Sequence, residues 1–384
     1  MKYRKFGKLD WKVSVLGFGV MRLPQKSEDM ADVDEEESIR MIRYAIDQGV
    51  NYLDSGYLYH MGKSEPIIAK ALENGYREKV RIATKLPVRI VESADKFDDY
   101  LNEQMERLKT KKLDFYLLHG LNGEVWPTVR DWGILDWADK KIAEGKFSHF
   151  GFSFHDDYDV FKDIIDSYDN WTVCQIQYNY MDKDYQAGRR GVEYAAEKGL
   201  AIVVMEPLRG GSLTQETPES VTKIWNEAPV KRSPAEWGLM WVWNQPEITM
   251  ALSGMSTMEQ VVENTEIAGR AEPGLLTTEE LDIIDRVGEA YRSLRPIPCT
   301  GCAYCMPCPN GVEIPQIFQI YNDAMMYNNM QMGRFRYQMT DILKEEQRGD
   351  KCIECGQCLE ACPQSISIPD WLKKAHEELI QSQQ

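Results

Sequence analysis

Eight of the nine cysteines in this chain fall in two short runs near its C-terminus, and each run ends at a proline. The first run is Cys299, Cys302, Cys305 and Cys308, followed by Pro309; the second is Cys352, Cys355, Cys358 and Cys362, followed by Pro363. Three thiols at steps of three, then a fourth beside proline, is the ligand spacing of a cubane iron–sulfur cluster. Steps of three let successive Cβ atoms on a tightly turned loop point at one compact core. The proline stops the chain from continuing as a regular ladder. Two runs predict two 4Fe–4S clusters and an electron-handling protein. A pair of four-cysteine zinc sites is the competing reading, although zinc motifs usually split their ligands two plus two. A disulfide framework would need an oxidising compartment, to which nothing in the chain points.

The runs resemble those of bacterial two-cluster ferredoxins, in which the fourth cysteine of each run ligates the other cluster. That resemblance implies one set of Cys299, Cys302, Cys305 and Cys362, and another of Cys352, Cys355, Cys358 and Cys308. The first run departs from the pattern, with two residues between Cys305 and Cys308 where three are usual. Residues 309–351 separate the runs and read as helix-rich. Residues 313–332 are expected to form one helix, with Pro315 near its start and Ile317, Ile320, Tyr321 and Ala324 on one face. Met325, Met326, Met330 and Met332 are expected to pack around the clusters or against the rest of the chain.

The 384 residues are enough for two domains, and a hydrophobic fraction of 43% permits a full core. A formal net charge of −16 argues against nucleic acid and anionic membrane as partners. No apolar stretch approaches the ~20 residues that span a bilayer. The first residues, MKYRKFGKLDWKV, contain no apolar signal region, so a cytoplasmic location is expected.

Upstream of the cysteines, short β-branched runs alternate with amphipathic helical stretches. The strand-like runs are 13–19, 50–54, 80–85, 113–119, 149–155, 171–178, 200–207 and 248–254. Helical stretches lie at 35–49, 64–75, 99–108 and 232–245, the last with Ser233 as N-cap and Pro234 in its first turn. Eight strand–helix units predict an α/β fold, a parallel (β/α)8 TIM barrel. A doubly wound nucleotide-binding fold is disfavoured, because Gly17-Phe18-Gly19 lacks the third glycine of that fold's first turn. Residues 2–12 read as a hairpin closing the barrel bottom. A helix at 277–292 leads into the cysteines, which places the domains at 1–292 and 293–384, the second a smaller, ferredoxin-like iron–sulfur domain.

Chemistry in such a barrel sits where the strands end. Three successive strand-like runs end at Asp54, Lys85 and His119, and Tyr59 follows Asp54 in its loop. Adjacent strands lie about 4.8 Å apart, so these side chains can converge. A phenol of pKa about 10 is a poor acid at neutral pH, and a nearby ammonium favours its ionised form. Tyr59 is therefore read as the general acid–base, Lys85 as its charge partner, Asp54 as the group holding Lys85, and His119 as the substrate-orienting group.

With DSGYLY at 54–59, IATK at 82–85 and LLH at 117–119, the chain resembles the aldo/keto reductase family across nearly all of residues 1–290. The resemblance implies hydride transfer between NAD(P)H and a small carbonyl or alcohol substrate, with Asp54, Tyr59, Lys85 and His119 as the catalytic tetrad. It also implies dinucleotide contacts from Gly19, Met21, Ser153, Gln175, Met205, Pro207 and Leu208. Ser256, Gln260 and Asn264, in SGMSTMEQVVEN at 253–264, take the position of the family's adenine-end site. Several positions depart from the family. The Ser-Asn pair is Ser153-Phe154, the stacking aromatic is Met205, and the basic 2′-phosphate contacts are Gly254 and Gln260. NADP and NAD both stay open. A branch of the family carries a C-terminal ferredoxin-like domain, and this chain resembles that branch.

Hydride moves two electrons, while a 4Fe–4S cluster usually moves one. A flavin could bridge the two, but the sequence has no flavin motif. The alternative reading is an electron-transfer module docking a redox protein, with the barrel as scaffold or flavin-linked reductase. Cys174, Trp237 and Trp241 read as core, and Trp126 as a pocket wall. His155, Glu206, Arg22 and Arg209 stand at strand ends, the arginines as candidate contacts for a phosphate or substrate anion.

Overall fold

A computed structural model describes residues 1–27, 29–215, 217–340 and 342–381, so the last three residues of the expected 293–384 domain lie outside it. Two short antiparallel strands come first, β1 (Tyr3–Lys5) and β2 (Lys12–Ser14). Eight parallel strands then close a barrel. They are β3 (Leu16–Gly19), β4 (Tyr52–Asp54), β5 (Arg81–Leu86), β6 (Leu113–Leu121), β7 (Phe147–Phe154), β8 (Val173–Gln177), β9 (Ala201–Met205) and β10 (Met250–Ser253). Strand β10 pairs with both β9 and β3, which completes the ring. Every strand-like run of the sequence contains barrel strand. The run at 13–19 divides after Ser14, whose amide donates to Asn51 Oδ1 and whose hydroxyl donates to the Leu16 carbonyl.

The barrel's lower interior is apolar. Tyr52, Ala83, Phe115, Leu117, Val173, Ala201, Val203 and Met250 share one buried cluster with Phe6 from the N-terminal hairpin. Phe6 lies 4.8 Å from Phe115 between ring centroids, so the hairpin plugs the bottom. Strand side chains alternate between faces. Two residues beyond Tyr52, Ala83, Leu117 and Val173, the same interior face therefore presents Asp54, Lys85, His119 and Gln175.

The outer helices follow the sequence signals. The helix Glu35–Asp47 begins with Asp34 accepting from the Glu37 amide and ends before Gly49, whose φ of +97° stops it. Ser233 caps Pro234–Trp243 by accepting from the Glu236 amide. Trp237 and Trp241 on that helix are buried.

The chain divides into two compact units, one of residues 1–210 and 232–278, the other of residues 211–231 and 279–384. In the second unit, Thr278–Ser293 is followed by Ile314–Met326, Met330–Gln338 and Ile368–Ile380. The expected single helix over 313–332 is two helices. The break falls at Asn328, with φ of +48°, and Asn329 caps the second helix by accepting from the Met332 amide. Gly333 lets the two helices close, because a Cβ there would stand 2.5 Å from Ala324 Cβ. Ile317, Phe318, Ile320, Tyr321, Tyr337 and Leu372 form the centre of this unit's core. Of the four methionines, Met326 is buried and Met330 packs on that core, while Met325 is exposed. Among the described residues no helix is long and apolar enough to cross a membrane.

Candidate active site

The four residues singled out at the strand ends meet. Lys85 Nζ donates to Asp54 Oδ1, to the Ser55 carbonyl at 2.5 Å, and to Tyr59 Oη at 3.3 Å. Tyr59 Oη lies 3.5 Å from His119 Nε2. Gln175 Nε2 donates to the other oxygen of Asp54. The Lys85 and Asp54 side chains are 1% and 2% exposed, so neither could stay charged there without the other. Parallel registry delivers them, since β4 pairs with β5 at Asp54–Ala83, two positions before Lys85 and on the same face.

Burial decides the ionisation states. It raises the Tyr59 phenol; Lys85 pulls the other way, and the net shift is upward. The acidification expected from Lys85 is thus present but outweighed by desolvation of the phenol, whose side chain is half-buried. Burial lowers the Lys85 ammonium, but Asp54 and Tyr59 more than offset it, so Lys85 holds its proton more tightly than usual. Burial raises the Asp54 carboxyl against the opposing pull of Lys85 and Gln175. His119 is pushed down to about 3 by burial, then by Lys85, His155 and Arg89, which leaves it neutral at physiological pH.

Two residues that matter were not read from the sequence. Gly56 permits the close approach of the rings: a Cβ there would stand 3.0 Å from Tyr59 Cε1 and 3.2 Å from His119 Cε1. Its place between Asp54 and Tyr59 was the available signal. Behind Lys85, buried Glu65 accepts from Thr84 and from Gln104, and Gln104 also donates to the Lys85 carbonyl at 3.1 Å. This network fixes the strand that carries Lys85.

The expected dinucleotide contacts fall into separate groups. Gln175 Oε1 is buried and has no hydrogen-bond partner, so it keeps an acceptor free. Ser153 is differently committed: its hydroxyl accepts from the Gly120 amide at 2.7 Å and donates to the Leu118 carbonyl. Gly19 ends β3 buried, and Met21 beyond it is exposed. Met205 ends β9 half-buried. Pro207 and Leu208 turn against the helix Pro234–Trp243, where a Cβ on Gly238 would stand 2.5 Å from Leu208 Cδ2. Gln260 Oε1 accepts from the Ser256 amide at the start of the helix Met258–Ala268. Asn264 is buried and donates to Ser253 Oγ. Arg22 spans the loops after β9 and β10. Its Nη2 lies 3.0 Å from where a Gly210 Cβ would be, and its Cδ lies 3.2 Å from the Gly254 equivalent.

The remaining candidates resolve simply. Trp126 is buried and its indole donates to Asp163 of the helix Tyr158–Asp166. Cys174 is buried, and burial raises its thiol. His155 is lowered chiefly by desolvation. Glu206 holds a left-handed φ of +50°. Arg209 pairs with Asp182 at 2.9 Å.

In the second unit the eight cysteines ring two cavities. One, of about 140 Å³, is lined by Cys305, Cys308, Cys352, Cys355 and Cys358. The other, about 20 Å³, is lined by Cys299, Cys302, Cys305 and Cys362. The larger has room for more than one ion, since a water's share of liquid volume is about 30 Å³. Among the described residues no three His, Cys, Asp or Glu side chains close to the spacing of a single metal ion. Wide thiol rings of this kind suit a multi-iron core better than zinc. Burial raises Cys299, with Cys302 and Cys362 adding to it. Burial also raises Cys358, with Cys352, Cys355 and Cys308 adding. Cys305 is pushed up to about 11 by burial, and it feels Cys299, Cys358 and Cys302. Crowding of this sort disfavours ionisation of the free thiols, and a cationic iron core would offset it.

Sequence comparison matches residues 15–289 to the Aldo/keto reductase family and residues 298–366 to the 4Fe-4S dicluster domain. The chain is 25% identical over 314 residues to the uncharacterized oxidoreductase YqkF of Bacillus subtilis strain 168, covering 73% of this chain and 94% of that one. Among solved structures, the aldo-keto reductase AKR11C1 from Bacillus halodurans in its holo form aligns with a TM-score of 0.63 at 25% identity, covering 76% of this chain and 97% of that one. An aldo-keto reductase from Klebsiella pneumoniae in complex with NADPH aligns with a TM-score of 0.60 at 20% identity, covering 74% and 94%. At that identity the likeness concerns the fold.

Proposed function

This chain belongs to the aldo/keto reductase family and carries a 4Fe-4S dicluster domain, and from that premise we propose that it interconverts a carbonyl and an alcohol with NADPH or NADH. The observation that carries this reading is the single buried ammonium of Lys85 bridging Asp54, the Ser55 carbonyl and Tyr59 Oη.

When bound, reduced nicotinamide supplies the hydride. Tyr59 Oη gives its proton to the carbonyl oxygen, which becomes the alcohol hydroxyl. Because burial keeps the phenol protonated, the acid is ready before substrate arrives. Lys85, 3.3 Å from the phenol oxygen, stabilises the phenolate left behind. Asp54 holds Lys85 in place, and neutral His119 faces the same oxygen without competing for the proton. Gln175 Oε1, free to accept, fits the amide of a nicotinamide. Arg22 and the amides that open the helix Met258–Ala268 fit phosphate oxygens. Of the neighbouring structures, the one from Klebsiella pneumoniae is a complex with NADPH.

The eight cysteines would hold two clusters, in sets of Cys299, Cys302, Cys305, Cys362 and of Cys352, Cys355, Cys358, Cys308; the lining of the two cavities supports that division, with Cys305 bordering both. A 4Fe–4S cluster would supply one-electron transfer.

The test is anaerobic purification followed by NADPH and NADH oxidation assays across aldehydes and ketones. Consumption of reduced nucleotide that needs both a carbonyl and Tyr59 is expected. Nucleotide that binds but is never oxidised, whatever carbonyl is offered, would refute the reading. About eight irons per chain are expected, four for each of two clusters; zinc in their place would refute the cluster assignment.

A further inference from the structure

Arg89 stands four residues beyond Lys85, in the loop that follows β5. The loop is pinned on both sides of it. The Val88 amide donates to the Leu86 carbonyl at 2.9 Å, the Ile90 amide donates to the Pro87 carbonyl at 2.9 Å, and the Tyr100 hydroxyl donates to the Ile90 carbonyl. The guanidinium leans over the end of β6. Its Nε lies 3.9 Å from where a Cβ on Gly120 would be, and Gly120 directly follows His119. Arg89 is exposed, and among the described residues it has no hydrogen-bond or ion-pair partner. That is notable in a chain where 61 acidic residues outnumber 45 basic ones.

The surroundings favour an anion at this edge of the site. The charge of Arg89 reaches both His119 and His155, and each imidazole is held below its ordinary value, by desolvation first and then by neighbouring cations including Arg89, although His155 lies exposed at the rim. Both rings are therefore neutral donors or acceptors at physiological pH and do not screen the guanidinium. Asp54 is taken up by Lys85. Glu206, beyond His155, is the opposing carboxylate on that side. An arginine presents a planar fork of N–H donors that matches a carboxylate.

We infer that the carbonyl substrate carries a carboxylate and that Arg89 binds it, with the carbonyl oxygen at Tyr59 and His119. The substrate class is an aldehyde acid or keto acid. This rests on the carbonyl–alcohol reading above and adds to it the charge of the substrate.

The test compares matched acid and neutral aldehydes with the full-length, cluster-loaded enzyme. One pair is 4-carboxybenzaldehyde and 4-formylbenzamide; the other is 4-oxobutanoate and its methyl ester. In at least one pair, kcat/KM for the acid is expected to exceed that for the neutral partner by roughly tenfold, the scale of one charge-assisted hydrogen bond at an exposed site. Most of the difference should lie in KM, because the carboxylate is bound alike before and during the reaction. Arg89→Met should bring the acid-to-neutral ratio to about one, and Arg89→Glu should invert it. A ratio is unaffected by the fraction of a variant that folds. Rising salt should shrink the wild-type ratio. A wild-type ratio near one for both pairs, or a ratio that Arg89→Met leaves intact, overturns the inference while the carbonyl–alcohol reading stands. If no aldehyde of either pair is reduced although NADPH binds, that parent reading falls and takes the inference with it.

Discussion

The barrel site and the cysteine rings are built in opposite ways. In the barrel, Asp54, Lys85, His119 and Gln175 come from four strands, and the contacts among Asp54, Lys85, Tyr59 and Gln175 are complete without any ligand. In the second unit, the cysteines come from two short stretches and ring two cavities, the larger with room for more than one ion. Side chains converging from distant strands meet only if the sheet is right, so the charge network is set by the fold. Thiols at steps of three already share a loop, and the metal core they await closes the site. One site is preorganised by tertiary structure and the other is completed by its ligand.

The largest expected effect tests the barrel alone. Tyr59→Phe should cut carbonyl reduction by roughly 10²- to 10⁴-fold, the range for losing a general acid. Nucleotide affinity by fluorescence titration and iron content should be unchanged. A matching loss of iron would break the contrast, by showing that the two sites are not separately built.

Next is the charge pair. Lys85→Met leaves Asp54 buried with no cation, and breaking such a pair costs about 3–5 kcal/mol. Denaturant unfolding followed by barrel tryptophan fluorescence should show that loss. The double variant Lys85→Met/Asp54→Asn should recover much of it. A single variant as stable as the parent would mean the network is not held by that pair.

Gly56→Ala should lower kcat by roughly tenfold with little change in stability. The added methyl pushes the Tyr59 and His119 rings by a few tenths of an ångström, and small misplacements weigh heavily on reactive geometry. Unaltered turnover would show that the site tolerates slack and is less preorganised than its contacts suggest.

On the other side of the contrast, Cys358→Ala should about halve the iron bound per chain. Helices around Tyr321 and Tyr337 should keep most of their protection from hydrogen exchange, since that core is centred on fully buried apolar side chains and the thiols pack only at its edge. Loss of all iron would mean that Cys305, which borders both cavities, couples the two clusters into one unit.

The smallest effect is a flat line. The reductive rate needs the neutral phenol, and burial raises its pKa. His119, at about 3, is already neutral. The chemical step should therefore hardly vary from pH 6 to 9, falling only as pH rises past the ordinary tyrosine value of about 10. A fall beginning near neutrality would show that Lys85 outweighs burial.

Much of this was open to a reader of the amino acids. All eight barrel strands overlapped recognisable runs, with β5, β6 and β7 reaching one or two residues past them, because a parallel strand buried on both faces is a short β-branched stretch between helical repeats. Asp54, Lys85 and His119 stood out because strand ends are where that barrel does chemistry. Less visible was anything depending on close approach. Neither the break at Asn328 nor Gly333 against Ala324 could be seen from a hydrophobic repeat that runs through both helices. Ser153 looked like a free donor until the ends of β6 and β7 brought the Leu118 carbonyl to its hydroxyl.

Residue type and spacing alone therefore pointed to the barrel, the two cysteine runs and the strand-end candidates Asp54, Lys85 and His119, because periodicity and ligand chemistry are properties of neighbours along the chain. Three-dimensional packing decided the rest: which way the phenol's pKa moves, and which buried amide oxygen has no partner among the described residues. Those outcomes depend on desolvation and on partners far away in sequence, and neither exists until the chain has folded.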